Sequence, residues 1–183
     1  PIYWAASREL IQRTLQAART VPGARVASGC GTDHLDLTSV KTLDDVIRAY
    51  DEQIEAIESM GGQLIIMASR ALVKVARSPA DYEKVYDHIL SQVRAPVILH
   101  WLGDMFDPQL SGYWGDRDLD KAMATALDVI RAHASKVDGI KISLLDKDRE
   151  IAMRRQLPKG VRMYTGDRSE EHTSELQSLA YLV

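Results

Sequence analysis

Two patterns of apolar residues alternate along the chain. Short runs of Val, Ile and Leu predict buried strands, and amphipathic stretches of about a dozen residues predict helices. A first helix is predicted over residues 7–19, with Leu10, Ile11, Thr14, Leu15 and Ala18 on one face. Pro22-Gly23 breaks it, and a strand follows over 25–29. Thr42, with Asp45 three residues on, reads as a capping box. The helix it opens carries Val46, Ile47, Tyr50, Ile54 and Ile57 as its buried stripe, and Gly61-Gly62 ends it. Residues 64–67 form the next strand. Ser78-Pro79 is an N-cap and first-turn pair for a helix with Tyr82, Val85, Ile89 and Val93 inward. A strand over 96–99 leads into a long polar and aromatic loop from Trp101 to Arg117. A helix over 119–134, with Met123, Leu127 and Ile130 inward, precedes a strand over 139–143. A helix over 148–156 then leads to the start of another strand at 161–164.

Strict strand–helix alternation with short connections implies an α/β fold built on a parallel sheet. A closed (β/α) barrel and an open doubly wound sheet both fit. Gly29-x-Gly31 lacks the third glycine of a dinucleotide-binding turn. Polar residues recur at the ends of several successive strands, which is the barrel habit. The expected fold is therefore a piece of a closed (β/α) barrel: about four complete strands, the start of a fifth, and both ends missing. The chain begins at Pro1 with no initiator Met and enters a helical pattern almost at once.

Composition changes this picture little. The chain is 45% hydrophobic and 27% charged, as an ordinary globular domain is. No run of apolar residues is long enough to span a membrane, and no basic segment precedes an apolar one at the N-terminus. No Lys/Arg cluster points to nucleic acid. The single Cys30 cannot form an internal disulfide, which fits a reducing, cytoplasmic setting.

The last residues do change the picture. Arg168 to Val183 resembles, codon by codon, the translation of a DNA-sequencing adapter. The expected organisation is a partial barrel domain over 1–167 and an artefactual tail over 168–183. His172, Glu170, Glu171 and Glu175 would otherwise imitate a metal cluster, and are set aside. The tail holds one arginine and three glutamates, so without it the net charge moves from −3 to −1.

Lys141 is the most informative candidate. It lies inside an apolar strand between Ile140 and Ile142, and with period two it shares a face with Gly139 and Ser143. A charged lysine there is costly unless paired or deprotonated, and a deprotonated amine is a nucleophile. The bland alternative is an ion pair with Asp138 or Asp146. His100 ends its strand near the same level and could move protons, or simply hydrogen-bond there. The segment Ser28-Gly-Cys-Gly-Thr-Asp-His34 leaves the first complete strand. Its Gly29 and Gly31 could let backbone amides approach an anion, with Thr32, Asp33 and His34 beside them. Cys30 with His34 is a weaker, nucleophile-pair reading. Asp104 and Asp107 are candidate substrate contacts or turn residues, and Trp101 is expected to pack within its loop.

Four strand ends carry a resemblance to the dihydrodipicolinate synthase and N-acetylneuraminate lyase superfamily. Gly139-Ile-Lys-Ile-Ser143 resembles its Gly-Ile-Lys-acidic-Ser strand, which puts Lys141 on the Schiff-base lysine. Pro96-Val-Ile-Leu-His100 resembles Pro-Val-Ile-Leu-Tyr, with His100 in the catalytic tyrosine's place. Val26-Ala-Ser-Gly-Cys-Gly31 is similar to Val-Ile-Ala-Gly-Thr-Gly, and Met163-Tyr-Thr-Gly-Asp167 to Leu-Ser-Gly-Asp-Asp. The stretches His-Trp-Leu-Gly-Asp-Met-Phe-Asp-Pro and Asp-Gly-Ile-Lys-Ile-Ser-Leu-Leu-Asp resemble a bacterial branch, domain of unknown function 993. The resemblance implies a (β/α)8-barrel (TIM-barrel) lyase or aldolase without cofactor or metal, acting on a 2-oxo acid or related small carbonyl compound in a homo-oligomer. Lys141 would form the imine, His100 would move the proton, and Gly29, Gly31, Thr32, Asp33, His34, Asp104 and Ser143 would contact substrate. By itself such a fragment is expected to be inactive. Two departures stand out: His100 for the tyrosine, and Ile142 for the acidic residue after the lysine. Two rivals remain. One is a metal-dependent barrel using Asp33, His34, His100 or Asp104; the other is a barrel that binds a carbonyl ligand without turnover.

Overall fold

A computed structural model describes residues 2–165 of the chain. Among them five parallel strands alternate with six helices: α1 (Ile2–Ala18), β1 (Ala27–Cys30), α2 (Leu43–Ser59), β2 (Gln63–Ile66), α3 (Arg70–Val75), α4 (Pro79–Gln92), β3 (Val97–Leu102), α5 (Leu119–Ala132), β4 (Val137–Ser143), α6 (Lys147–Arg154) and β5 (Arg162–Thr165). Tail residues 168–183 lie outside the described part.

The strand order is β1-β2-β3-β4-β5, and each pair is parallel. This decides between the two architectures. A doubly wound sheet reverses its strand order at a switch point and so carries helices on both faces. Here there is no reversal, and connections of one hand keep every helix on one side. Burial agrees. Cys30, Leu64, Ile66, Val97, Leu99, Trp101, Ile140 and Ile142 face the helices and join a single core. Gly29, Ile65, Ile98, His100, Gly139, Lys141, Ser143 and Tyr164 alternate with them and occupy the helix-free face.

The helices form where their caps and stripes predict. Thr42 Oγ1 accepts the Asp45 amide at 3.2 Å, and the Asp45 carboxylate accepts the Thr42 amide at 2.9 Å. From α2, Val46, Tyr50, Ile54 and Ile57 are buried, joined by Ala49 and Gln53, while Ile47 is only partly covered. In α1, Ile11, Thr14, Leu15 and Ala18 are partly buried, but Leu10 is 66% exposed, so it leaves the predicted face. Two differences concern strands and loops. Strand β3 runs three residues beyond the predicted 96–99 and takes up Trp101, which packs edge-on against Trp114 rather than in a loop. The short helix α3 was not predicted, because six residues give too little periodicity to see. No helix among the described residues is long and apolar enough to cross a membrane.

The loop after β3 folds back over α4. Trp114 has φ of 70° between Gly112 and Gly115, at 80° and 90°. Such a backbone costs a non-glycine residue about 1–3 kcal/mol. The indole is fully buried, stacks on Tyr86 at 4.5 Å and meets Tyr113 edge-on at 5.5 Å. Burying about 200 Å² of it contributes about 5 kcal/mol, which is set against that strain and an indole Nε1 buried without a hydrogen-bond partner.

Burial pushes the Cys30 thiol and the Tyr50, Tyr82, Tyr86 and Tyr113 phenols up, since ionising them would place charge in the core. Acids whose folded value is raised hold more protons folded than unfolded over the window between the two values. Their stabilisation is intact below the unfolded values of about 8.5 for thiols and about 10 for phenols, and is lost as pH climbs above them. The urea midpoint should therefore be lower at pH 10 than at pH 7, and Tyr86→Phe should reduce that difference. An unchanged midpoint at pH 10 would contradict the burial of these groups.

Candidate active site

The helix-free face gathers a row of three side chains. Register pairs His100 on β3 with Lys141 on β4, and Lys141 with Tyr164 on β5. The row exists because Ile140 and Ile142 are driven into the helix layer, where each is at most 1% exposed. Alternation then turns Lys141 to the other side. Lys141 Nζ donates to Ser143 Oγ at 2.8 Å and lies 3.4 Å from His100 Nε2. His100 Nε2 is also 3.4 Å from Ser143 Oγ. His100 and Ser143 are buried, at 6% and 2% exposure, and Lys141 is partly buried. The amine, the imidazole and the hydroxyl form a closed triangle at the C-terminal half of β3 and β4.

The bland reading of Lys141 does not describe this geometry. Asp138 accepts from Arg162 Nη1 at 3.0 Å and from the Tyr164 hydroxyl at 2.5 Å. Asp146 caps α6 and pairs with Arg149 at 2.8 Å. Both carboxylates proposed as partners are engaged elsewhere. Around the lysine stand a hydroxyl and an imidazole, which can relay a proton to or from the amine.

The segment after β1 is held otherwise. Gly29 is exposed, and a methyl there would make only ordinary contact with Met67, at 3.6 Å. The Gly31 amide donates to Gln53 Oε1 at 2.8 Å, so it is committed to α2 rather than presented to an anion. Thr32 is 2% exposed and shares a 2.6 Å hydrogen bond with Ser69. The Ser69 amide donates to the Tyr113 hydroxyl at 3.3 Å, and Tyr113 shares a 2.8 Å hydrogen bond with Tyr86. Thr32 thus belongs to a buried hydroxyl chain. His34 Nδ1 lies 2.8 Å from Gln53 Nε2, and its Nε2 lies 3.4 Å from Glu52. The Cys30–His34 pair does not form. Cys30 faces the core with its thiol 3.9 Å from the Tyr50 carbonyl, and burial keeps it protonated, while His34 is held by α2.

Asp33 is exposed and pairs with Arg70 Nη1 at 3.1 Å. Arg70 Nε donates to Asp107 at 2.5 Å. One guanidinium therefore ties the exits of β1, β2 and β3. Asp104 is exposed in the turn beyond Gly103. The residues proposed for a metal do not converge: among the described residues no three His, Cys, Asp or Glu side chains are grouped as ligands would be.

Pattern reading missed three residues here. Arg70 sits on the unpredicted α3. Tyr164 was seen only as part of a strand. Gly103 donates its amide to the Ser143 carbonyl at 2.9 Å, and a methyl on it would lie 3.0 Å from that oxygen. No pattern marks it, because the predicted strand stops at residue 99 and Gly103 follows directly only on the longer β3. An open groove of about 510 Å³ lies at the opposite, N-terminal end of the sheet, lined by Val26, Gly62, Gln63, Pro96 and Asp138. The Lys141–His100–Ser143 cluster lies at the other end of the strands from that groove.

The described geometry has relatives. A family model described as "Protein of unknown function (DUF993)" matches residues 1–173. None of the curated proteins compared with the chain matches it. Among solved structures, dihydrodipicolinate synthase from Oceanobacillus iheyensis is similar, with a TM-score of 0.52 at 20% identity. The likeness covers 87% of this chain and 42% of that one, so the chain spans less than half the length of that protein. At this identity the likeness is one of fold.

Arg70→Ala should lower stability by about 1–2 kcal/mol, the partial exposure of Arg70 keeping the cost below that of a buried pair. Urea unfolding at low and at high salt measures it. The difference from the parent should shrink in 1 M salt. A variant as stable as the parent at low salt would show that Arg70 does not tie the three strand exits.

Proposed function

Because the chain belongs to the DUF993 family, whose description assigns no activity, we propose a function from the site: Schiff-base chemistry on a 2-oxo acid or related small carbonyl compound, in a (β/α)8-barrel lyase or aldolase of which the chain is a part. The observation that carries this reading is the Lys141–Ser143–His100 triangle. A lysine whose amine meets a hydroxyl and an imidazole, rather than a carboxylate, has groups suited to taking its proton. The fold likeness to a dihydrodipicolinate synthase supports the same direction.

The Lys141 amine adds to the carbonyl carbon, and its proton passes through Ser143 Oγ or directly to His100 Nε2. His100 returns that proton to the former carbonyl oxygen, giving the neutral carbinolamine; the second proton of the nitrogen then follows the same route onto the hydroxyl, which leaves as water, and the neutral imine remains. The imine then serves as an electron sink for breaking or forming a bond at the neighbouring carbon. Ser143 and His100 hold the proton between the two halves of the step.

Imine capture tests this without requiring turnover. The 183-residue chain, treated with pyruvate and other small 2-oxo acids plus borohydride, should gain a covalent adduct that peptide mass spectrometry maps to Lys141. Lys141→Arg should abolish it, because a guanidinium stays protonated. His100→Ala should slow capture by about 100-fold or more, the usual scale for a proton-transfer group, while leaving the adduct on Lys141. Adducts spread evenly over surface lysines, with none enriched at Lys141 across a broad carbonyl panel, would sink the reading.

A further inference from the structure

The helix-free face changes character from one side to the other. On β4 and β5 it carries Lys141, Ser143 and Tyr164. Beside His100, toward β2, it carries Ile65, Met67 and Ile98. Unlike Leu64, Ile66, Val97 and Leu99, these three apolar side chains do not belong to the core against the helices. Ile65 and Met67 are partly exposed, and Ile98 is 5% exposed. Register pairs Gly29 with Ile65 and Ile65 with Ile98. Met67 continues β2 by one residue, its amide donating to the Cys30 carbonyl at 2.8 Å. It therefore stands level with His100, one step beyond the paired Ile66 and Leu99.

The exit of β1 adds no side chain to this stretch. A methyl on Gly29 would lie 3.6 Å from Met67 Cγ and 3.7 Å from its Sδ, and one on Gly31 would lie 3.4 Å from Met67 Cβ. Met67 thus leans over the two glycines, toward β1. Neither glycine has a positive φ, and contact at 3.6 Å is ordinary, so the backbone at Gly29 does not demand a glycine. What the glycine leaves is open surface, and Gly29 is exposed. A thioether can shift readily against an irregular apolar neighbour. Strands β1, β2 and β3 contain no acidic residue, lysine or arginine.

Neighbouring strands lie about 4.8 Å apart, so Met67 stands about 10 Å from Lys141 along the row, across His100. On the other side of Lys141 stands Tyr164, its register partner, so the open direction is toward β1. A substituent of several carbons on an imine carbon held at Lys141 reaches the Met67 side. An apolar substituent exchanges water there for apolar contact. A second carboxylate would lose hydration with no cation on β1 to β3 to receive it. We infer that Gly29, Ile65, Met67 and Ile98 form the subsite for the substrate's substituent, and that this subsite selects 2-oxo acids with an aliphatic or aromatic substituent over those with a charged one. The inference rests on the reading of Lys141 as the imine-forming amine.

Competition between two acids under cyanoborohydride tests the selection on the 183-residue chain. Equimolar 4-methyl-2-oxopentanoate and 2-oxoglutarate are close in length and differ in the charge at the far end. Peptide mass spectrometry counts the two reduced adducts on Lys141 and on the exposed Lys84 and Lys121, where the ratio reports only the intrinsic reactivity of the acids. In the parent chain the ratio at Lys141 should exceed that at the reference lysines by about tenfold or more, the scale of a few methylenes in an apolar pocket. Met67→Arg, which offers a cation and cannot itself form an imine, should lower the ratio at Lys141 by about tenfold. Gly29→Val, whose methyls fill the space beside Met67, should lower the ratio of 4-methyl-2-oxopentanoate to pyruvate at Lys141 by about tenfold. Circular dichroism confirms that each variant is folded. A parent ratio at Lys141 equal to that at the reference lysines, or a ratio left unmoved by either folded variant, would overturn the inference while leaving the imine reading intact. A parent chain in which no acid modifies Lys141 faster than Lys84 and Lys121 would overturn both.

Discussion

An amine on an inward row of a parallel sheet needs hydrogen-bond partners at its own level, because solvent reaches it only in part and the strand around it is apolar. Lys141 finds them one strand away and two residues on, in His100 and Ser143. This depends on residues that do no chemistry. Ile140 and Ile142 are fixed in the helix layer beside Leu99 and Trp101. A slip of β4 by one residue would turn the lysine into that layer and expose the isoleucines, so burial of apolar side chains fixes the position of the amine. The cost of slipping is the loss of two buried isoleucines, about 2 kcal/mol each, before any charge is buried.

The rim above this row is held by different means. Arg70 joins three strand exits through Asp33 and Asp107, and the loop after β3 is anchored through Trp114. Gly115 shows how tight that anchor is: a methyl there would lie 2.6 Å from the Pro79 nitrogen, at the first turn of α4. The stacked Trp114–Tyr86 pair and the hydroxyl chain from Thr32 to Tyr86 lie in the helix layer behind the strand ends. They stiffen the scaffold from the side away from the amine.

Most of the fold was legible because period and length report on faces and elements. Apolar runs marked all five strands to within about three residues at each end, and Thr42 with Asp45 and Ser78 with Pro79 marked two helix starts. Lys141 stood out because a cation inside such a run breaks the pattern. What stayed hidden is contact between residues far apart in sequence. Nothing in the pattern says that Arg70 meets Asp107, that Gly31 gives its amide to Gln53, or that Asp138 is taken by Arg162 rather than Lys141. Hence the segment Gly29 to His34 read as an anion loop, although Gln53 and Ser69 satisfy much of it from behind. Leu10 misled for a simpler reason: a helix shows its stripe, but a neighbour is needed to cover it.

The two departures from the lyase pattern belong together. A phenol at the His100 position would serve mainly as an acid, since tyrosines stay protonated until far above neutrality. Imidazoles as a class exchange protons near neutral pH in both directions. With Ile142 in place of an acidic residue, no carboxylate follows the lysine along the strand, and the nearest one before it, Asp138, is held by Arg162 and Tyr164. The partners of the Lys141 amine on its own face are the Ser143 hydroxyl and the His100 imidazole. Under the imine reading proposed above, an imidazole at this position would accept the amine's proton as well as return it.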